Sequence, residues 1–165
     1  MINVKNNTPS TYKSNGEHYL GDLGQIISFC VFLVAWILDS FVFKLTVFLS
    51  PYIPLQIRIG VLAIFLILAF YILSKGHMVL QIQNSRLLTD GVFGRVRHPL
   101  YLAMMLFYFG LTAATASLMS LVLCIFIFCF YNYIAAYEEK YMESKYGSEY
   151  ILYKQKVRRW IPFKR

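Results

Sequence analysis

The chain has 165 residues, of which 58% are hydrophobic and only 15% are charged. A soluble globular domain is usually about half apolar and about a quarter charged, so this composition excludes an ordinary soluble protein. The length is sufficient for one domain. A net charge of +8 suits binding to nucleic acid or to anionic lipid, and the positions of the cations decide between the two.

Four segments of the chain are long and apolar enough to be membrane-spanning helices, which need about 20 mainly apolar residues. The segments are residues 24–43, 55–73, 99–116 and 117–136. The first is too long for the apolar part of a secretory signal peptide and lacks a small-residue cleavage pattern, so we expect it to be retained. The predicted fold class is all-α, a polytopic membrane protein with about four transmembrane helices. Residues 1–23 are expected to form a polar tail and residues 24–165 a single domain.

A few polar or reactive side chains lie within these segments. We expect Asp39 and Lys44, near the far end of the first segment, to face water or head groups. The alternative for Asp39 is an inward orientation toward a partner. The three cysteines, Cys30, Cys124 and Cys129, have no metal-ligand spacing. They are predicted to be buried free thiols, with no disulfide and no metal site.

The residues between the apolar segments predict how the chain turns from one helix to the next. Residues 50–54, Ser-Pro-Tyr-Ile-Pro, predict a break that turns the chain back. Residues 78–88 mix apolar and polar side chains, which indicates a partly exposed helical extension followed by a loop. Residues 112–117 are few and small, which predicts a tight antiparallel hairpin of the third and fourth helices.

Positive charge is concentrated before the first segment, between the second and third, and after the fourth. The residues concerned are Lys5, Lys13, Lys75, Arg86, Arg95, Arg97, Lys140, Lys145, Lys154, Lys156, Arg158, Arg159, Lys164 and Arg165. By the positive-inside rule, both termini and the central loop are predicted to be cytoplasmic. Topology and attraction to anionic membrane lipids explain the basic balance, so no nucleic-acid partner is expected.

A short polar and basic stretch, residues 89–101, runs directly into the third apolar segment. Pro99 suits the first turn of a helix because its missing N–H would have no intrahelical partner there. His98 is therefore expected at the helix entrance, beside unpaired backbone N–H groups and the positive end of the helix dipole. An anionic group of a ligand is stabilised at such a place. We interpret this stretch as an anion-binding corner at the membrane interface.

Two neighbouring glutamates, Glu138 and Glu139, come where the fourth segment is predicted to leave the bilayer. The topology puts them on the same membrane face as His98. A zwitterionic ligand with a carboxylate, an ammonium group and ribose hydroxyls could be held between the basic corner and the acidic pair. Asn132, near the inner end of the segment, is a candidate to cap or line this pocket. Gly147 then predicts a stop between a helix that leaves the membrane and a second, interfacial helix.

The C-terminal half carries an ordered set of motifs over residues 87–162. In chain order they are Thr89-x-Gly91-x-Phe93, Arg97-His98-Pro99-x-Tyr101, Glu138-Glu139 and Tyr146-Gly147-x-x-Tyr150-x-x-Tyr153-x-x-x-Val157-x-Arg159-Trp160-Ile161-Pro162. One predicted helical hairpin separates the second motif from the third. The set resembles the isoprenylcysteine carboxyl methyltransferase and phospholipid methyltransferase superfamily. It departs from the usual pattern at Val92-Phe93, Ala103 and Arg158, where the superfamily often has Pro-Tyr, Gly and Pro.

The resemblance implies an integral-membrane enzyme that binds S-adenosylmethionine on its cytosolic side, methylates a lipid-embedded acceptor and releases S-adenosylhomocysteine. Carried over residue by residue, it assigns cofactor binding to Gly91, Arg97, His98, Tyr101, Glu138 and Glu139. It makes Arg159, near the acceptor's reacting group, and Glu139 the candidate catalytic residues. A carboxylate acceptor needs only orientation and partial desolvation, for which Arg159 is suited. An amine must first lose a proton, which Glu139 could accept.

Several alternatives stay open at this point. The expected acceptor is an isoprenylcysteine-type carboxylate that enters sideways from the bilayer, with a phospholipid amine or a thiol as alternatives. Membrane sterol reductases have a related C-terminal arrangement, but this chain is shorter and has fewer spans than expected of one. A small transport or scaffolding protein, whose charged ends only set the topology, predicts no cofactor binding. The oligomeric state is not indicated by any pattern.

Overall fold

The computed structural model describes residues 19–82 and 87–162, and within them the fold is all-helical. The α-helices are α1 (Tyr19–Ile37), α2 (Leu55–Ile82), α3 (Pro99–Thr115), α4 (Leu118–Tyr146) and α5 (Ser148–Lys156). A π-helical segment, Leu38–Phe43, extends α1, and a single 3₁₀ turn, Ser50–Tyr52, lies before α2. The predicted all-α class is confirmed.

Three helical segments in the described residues are long and apolar enough to cross a membrane, namely Leu23–Phe43, Leu55–Met78 and Leu118–Tyr146. The fourth predicted span corresponds to α3, which is apolar but has only 17 residues. At 1.5 Å per residue α3 is about 25 Å long, which is at the short end of the range for a spanning helix. The predicted architecture is therefore confirmed, with one helix shorter than the other three.

The helix boundaries differ from the predicted segments at three places. The first helix begins at Tyr19, within the predicted polar tail, and the remainder of that tail lies outside the described residues. The second continues to Ile82, as the predicted extension requires, and part of the loop after it also lies outside them. The link between α3 and α4 is only two residues, because Ala116 adopts a left-handed conformation (φ 51°) that reverses the chain at once. The tight hairpin is thus confirmed with a shorter link than predicted.

The helices pack closely where glycine removes a side chain from the contact. A Cβ atom added at Gly110 of α3 would lie 2.9 Å from Cβ of Phe65 on α2, and one at Gly24 of α1 would lie 2.8 Å from the ring of Phe130 on α4. Among the described residues, five fully buried side chains from α1, α3 and α4 lie in the core between them: Phe32, Tyr108, Cys124, Tyr131 and Ala135. Cys124 is buried as predicted. The same prediction is wrong for Cys30 and Cys129, which lie on exposed faces of α1 and α4.

At the end of the bundle away from the charged motifs, Asp39 is 4% exposed and faces inward. It accepts hydrogen bonds from the Thr46 backbone N–H at 3.0 Å, from the Thr46 hydroxyl at 2.6 Å and from the Ser117 hydroxyl. The expectation that Asp39 faces water is wrong, whereas Lys44 is exposed as expected. The π-helical segment ends at Lys44 in a left-handed conformation, so the chain turns back and Thr46 reaches Asp39.

Replacing Asp39 with alanine is expected to lower the free energy of unfolding by about 1–3 kcal/mol, because the half-buried donors of Thr46 and the buried hydroxyl of Ser117 lose their acceptor. Lys44→Gln is the matched control, since Lys44 is nearby and exposed. Unfolding of the detergent-purified variants followed by circular dichroism measures the difference. Equal stability of the two variants would show that the Asp39 cluster does not hold this end of the bundle together.

Candidate active site

The loop before α3 and the segment after α5 lie side by side. Val96 and Arg158 form an isolated parallel bridge, in which the Arg97 N–H donates to the Arg158 carbonyl at 3.0 Å. The Tyr153 hydroxyl of α5 donates to the carbonyl of Phe93 at 2.7 Å. These contacts fix residues 157–162, here called the C-terminal segment, against the entrance of α3. The predicted break at Gly147 (φ 55°), which separates α5 from α4, lets the chain return there.

Glu139 of α4 is the centre of the site and its side chain is only 2% exposed. Arg159 donates to both of its oxygens, from Nε to Oε1 and from Nη2 to Oε2, each at 2.8 Å. His98 Nε2 lies 3.2 Å and Arg97 Nη2 lies 3.3 Å from Oε1. Lys154 Nζ is 3.8 Å from Oε2. A buried carboxylate is stable only when it is paired and hydrogen-bonded, and this one has donors at both oxygens.

Glu138 lies on the other side of His98. Its Oε1 accepts a 2.8 Å hydrogen bond from the Tyr101 hydroxyl, and its Oε2 is 3.5 Å from His98 Nδ1. The rings of His98 and Tyr101 are stacked, with centroids 5.7 Å apart. The side chains at the entrance of α3 are therefore held against two successive residues of α4.

Burial lowers the pKa of His98 below its usual value, against the opposing effect of Glu139, while the positive charges of Arg159 and Arg97 lower it further. Each ring nitrogen lies near a glutamate, Nε2 at 3.2 Å from Glu139 and Nδ1 at 3.5 Å from Glu138. Hydrogen bonds to Glu139 raise the pKa of the Arg159 guanidinium, so Arg159 is charged throughout the physiological range.

Arg97 has buried hydrogen-bond donors that nothing in the described part of the chain accepts. Its side chain is 10% exposed, and within residues 19–82 and 87–162 only Nη2 has a partner, the carboxylate of Glu139. The Nε and Nη1 atoms are buried without a hydrogen-bond partner among the described residues. Leaving such donors unpaired costs about 1–3 kcal/mol each, so a site of this kind is expected to take an anionic or oxygen-rich ligand group.

Arg159 is also bound on its outer side. Its Nη1 donates to Oδ1 of Asn132 at 2.8 Å, and the indole N–H of Trp160 donates to the same oxygen at 3.2 Å. The ring of Trp160 lies 6.1 Å from His98 and 5.4 Å from Phe128, centroid to centroid. The C-terminal segment thus crosses α4 and covers one side of the charged cluster.

Of the seven residues that the resemblance assigns to cofactor binding or catalysis, the structure brings six together: Arg97, His98, Tyr101, Glu138, Glu139 and Arg159. Gly91 differs from them, since it is exposed and lies in the turn that leads to this cluster. Its φ of 59° suits glycine, so its contribution is to the loop conformation. Sequence reasoning missed the contact of Lys154 with Glu139, although Lys154 is one helical turn from Tyr150 in the motif set.

Comparison with known proteins identifies a family. The family described as phospholipid methyltransferase matches residues 56–149, which include both glutamates and the entrance of α3. An uncharacterized protein of Haemophilus influenzae is 57% identical over 37 residues, a match that covers 22% of this chain and 59% of that protein. No solved structure is a significant match to the chain.

Two relatives have a described activity. Protein-S-isoprenylcysteine O-methyltransferase B of Arabidopsis thaliana is 27% identical over 82 residues, covering 49% of this chain and 42% of that protein. Protein-S-isoprenylcysteine O-methyltransferase of Schizosaccharomyces pombe is 30% identical over 92 residues, covering 54% and 39%. The matched regions span less than two thirds of each relative's own length.

Proposed function

The chain belongs to the phospholipid methyltransferase family, and from this premise we propose that it is an integral-membrane methyltransferase that uses S-adenosylmethionine to methylate a lipophilic acceptor. The acceptor we propose first is an isoprenylcysteine-type carboxylate, in line with the activity described for two relatives. The observation that carries the proposal is the convergence of the two glutamates and Arg159 on the entrance of α3.

The residues present fit the chemistry of this cofactor. The buried, unpaired Nε and Nη1 donors of Arg97 suit a carboxylate such as that of the methionine part. Glu138 suits an ammonium or hydroxyl donor, and the first backbone N–H groups of α3 favour negative charge. When bound, S-adenosylmethionine supplies a methyl group already activated on a sulfonium. The protein then has to bind the cofactor and the acceptor, orient them toward each other and exclude water from the site.

In this proposal Arg159 orients the acceptor and Glu139 positions Arg159. Two hydrogen bonds to a buried carboxylate hold the guanidinium plane in one orientation, and Asn132 holds its outer side. Orientation of two reactants in a site that excludes water can contribute about 7–11 kcal/mol to lowering the barrier. Positioning is thus a sufficient role for both residues, and no proton has to move when the acceptor is a carboxylate.

The charges around Glu139 favour a carboxylate over an amine as the acceptor. An amine must lose its proton before it attacks, and Glu139 is the nearest candidate to take it. Both oxygens of Glu139 accept hydrogen bonds from Arg159, whose positive charge favours the ionised carboxylate and so makes Glu139 a weak base. A phospholipid amine remains the second candidate acceptor, since the family description names phospholipids.

We also propose that the site faces the cytoplasm. Support comes from the cations that lie at this end of the helices, among them Lys140, Lys145, Lys154 and Arg158. An acceptor held in the cytoplasmic leaflet would reach Arg159 from the bilayer along the exposed face of α4. The opposite end of the bundle, at Asp39 and Ser117, has few cations by comparison.

The experiment that tests this function measures transfer of a radiolabelled methyl group from S-adenosylmethionine by the purified protein in lipid nanodiscs. N-acetyl-S-farnesylcysteine and phosphatidylethanolamine are supplied as separate acceptors. We expect base-labile label on the farnesylcysteine, because a methyl ester is hydrolysed by base. Label on the phospholipid amine alone would favour the second candidate, and no transfer to either by a folded protein would favour a transport or scaffolding role.

A further inference from the structure

The orientation of the Asn132 amide is determined by its neighbours. Its Oδ1 faces Arg159 Nη1 and Trp160 Nε1, and both of these groups can only donate. The oxygen of the amide therefore has to point toward the C-terminal segment. Its two Nδ2 hydrogens are directed elsewhere, and no group in the described part of the chain accepts them.

Asn132 is an unusual side chain for its position. It is exposed on α4 inside the predicted apolar segment, seven residues and so two helical turns before Glu139. The two side chains lie on the same face of α4, and Arg159 bridges them. An amide with unpaired N–H groups is costly next to hydrocarbon, so these hydrogens are expected to find an acceptor.

We propose that Asn132 is a specificity-determining residue, whose Nδ2 hydrogens bind an oxygen of the acceptor and select an oxyanion over an amine. This rests on the proposed function. At the outer edge of Arg159, both hydrogen bonds that Asn132 Oδ1 can accept are already made, by Arg159 and Trp160, so Asn132 offers only its Nδ2 hydrogens to a ligand. A carboxylate finds donors there, whereas an ammonium group finds no free acceptor on Asn132. The lipid-exposed side of Asn132 is also where an acceptor with an apolar tail arrives.

The variant that tests the proposal is Asn132→Asp. Aspartate can accept from Arg159 and Trp160 as asparagine does, so the C-terminal segment stays in place. It replaces the two Nδ2 hydrogens with a second acceptor oxygen and therefore repels a carboxylate. Asn132→Ala removes both the oxygen that accepts from Arg159 and Trp160 and the Nδ2 hydrogens. Comparison of the two variants therefore separates selection of the acceptor from attachment of the C-terminal segment.

The measurement is equilibrium binding to the protein in nanodiscs of two matched probes, N-acetyl-S-farnesylcysteine and S-farnesylcysteamine, which carries an amine and no carboxylate. We expect the wild-type protein to bind the carboxylate probe at least about tenfold more tightly, which corresponds to one hydrogen bond to a charged group. This preference should be lost or reversed in Asn132→Asp.

Two results would overturn the proposal. One is a wild-type protein that does not prefer the carboxylate probe. The other is a preference that persists in Asn132→Asp and disappears only in Asn132→Ala, which would give Asn132 a purely structural role. Neither result depends on methyl transfer. A protein that binds the carboxylate probe selectively but transfers no methyl group would instead contradict the proposed function.

Discussion

Replacing Glu139 with glutamine is expected to reduce methyl transfer by at least about 100-fold and to destabilise the protein. The glutamine cannot balance Arg159 and Arg97, which lie 2.8 Å and 3.3 Å from the carboxylate. Removal of one partner from a buried ion pair costs about 3–5 kcal/mol. Arg159 also loses its fixed orientation, and displacement of a catalytic group by about 1 Å can cost about 100-fold in rate. Transfer kinetics and unfolding of the purified variant measure the two effects.

Glu143→Gln is the control for this variant. Glu143 lies one helical turn further along α4 and pairs with Lys154, but its side chain is 35% exposed. An exposed ion pair contributes little to stability, so this change is expected to leave stability and transfer close to wild type. If Glu139→Gln behaved like Glu143→Gln, the charged cluster would not organise the site.

Replacing Arg97 with methionine is expected to reduce cofactor affinity strongly while leaving the stability of the protein almost unchanged. Arg97 makes one 3.3 Å contact with Glu139, which keeps Arg159 and His98 as partners when Arg97 is removed. Two buried donors, Nε and Nη1, which have no partner in the part of the chain that the structure describes, are removed with it. Two lost hydrogen bonds to a charged ligand group, at about 1.5–3 kcal/mol each, correspond to an affinity about 100-fold lower or more.

Arg95→Met is the matched control, because Arg95 lies two residues away in the same loop and is exposed. Titration of S-adenosylhomocysteine into each variant compares the affinities, and thermal unfolding compares the stabilities. Equal affinity of the Arg97 and Arg95 variants would mean that the unpaired donors of Arg97 do not face the cofactor. Strong destabilisation of the Arg97 variant would mean that the Nε and Nη1 donors of Arg97 have a partner in the folded chain.

The helices could be predicted from the sequence because apolar length and breakers are local properties. Pro54 ends the connection between α1 and α2, as the sequence predicts. Gly147 separates α4 from α5 at the predicted position. Asp39 shows the limit of this reasoning, since a carboxyl group near the end of an apolar segment can face head groups or turn inward. Its orientation depends on a left-handed residue at position 44 and on Ser117, which is 78 positions away. Neither is apparent from the local pattern.

The site residues could be named from their motifs, but their pairing could not. Arg159 and Glu139 are 20 positions apart with a helix break and α5 between them, so their contact depends on the backbone bridge of Val96 with Arg158. The same geometry brings Arg159 to Asn132. The sequence signal for the contact of Asn132 with Arg159 was a polar residue within an apolar segment. Long-range register of this kind follows from packing, which no spacing rule specifies.

The central claim is that the corner at Arg97 and His98, closed by Glu138 and Glu139, binds S-adenosylmethionine. Calorimetric titration of S-adenosylhomocysteine into the wild-type protein tests it most directly, because the product binds without turnover. We expect saturable binding with one site per chain, and its loss in Arg97→Met while that variant remains folded. The absence of binding to a folded wild-type protein would contradict the assignment of this corner to the cofactor.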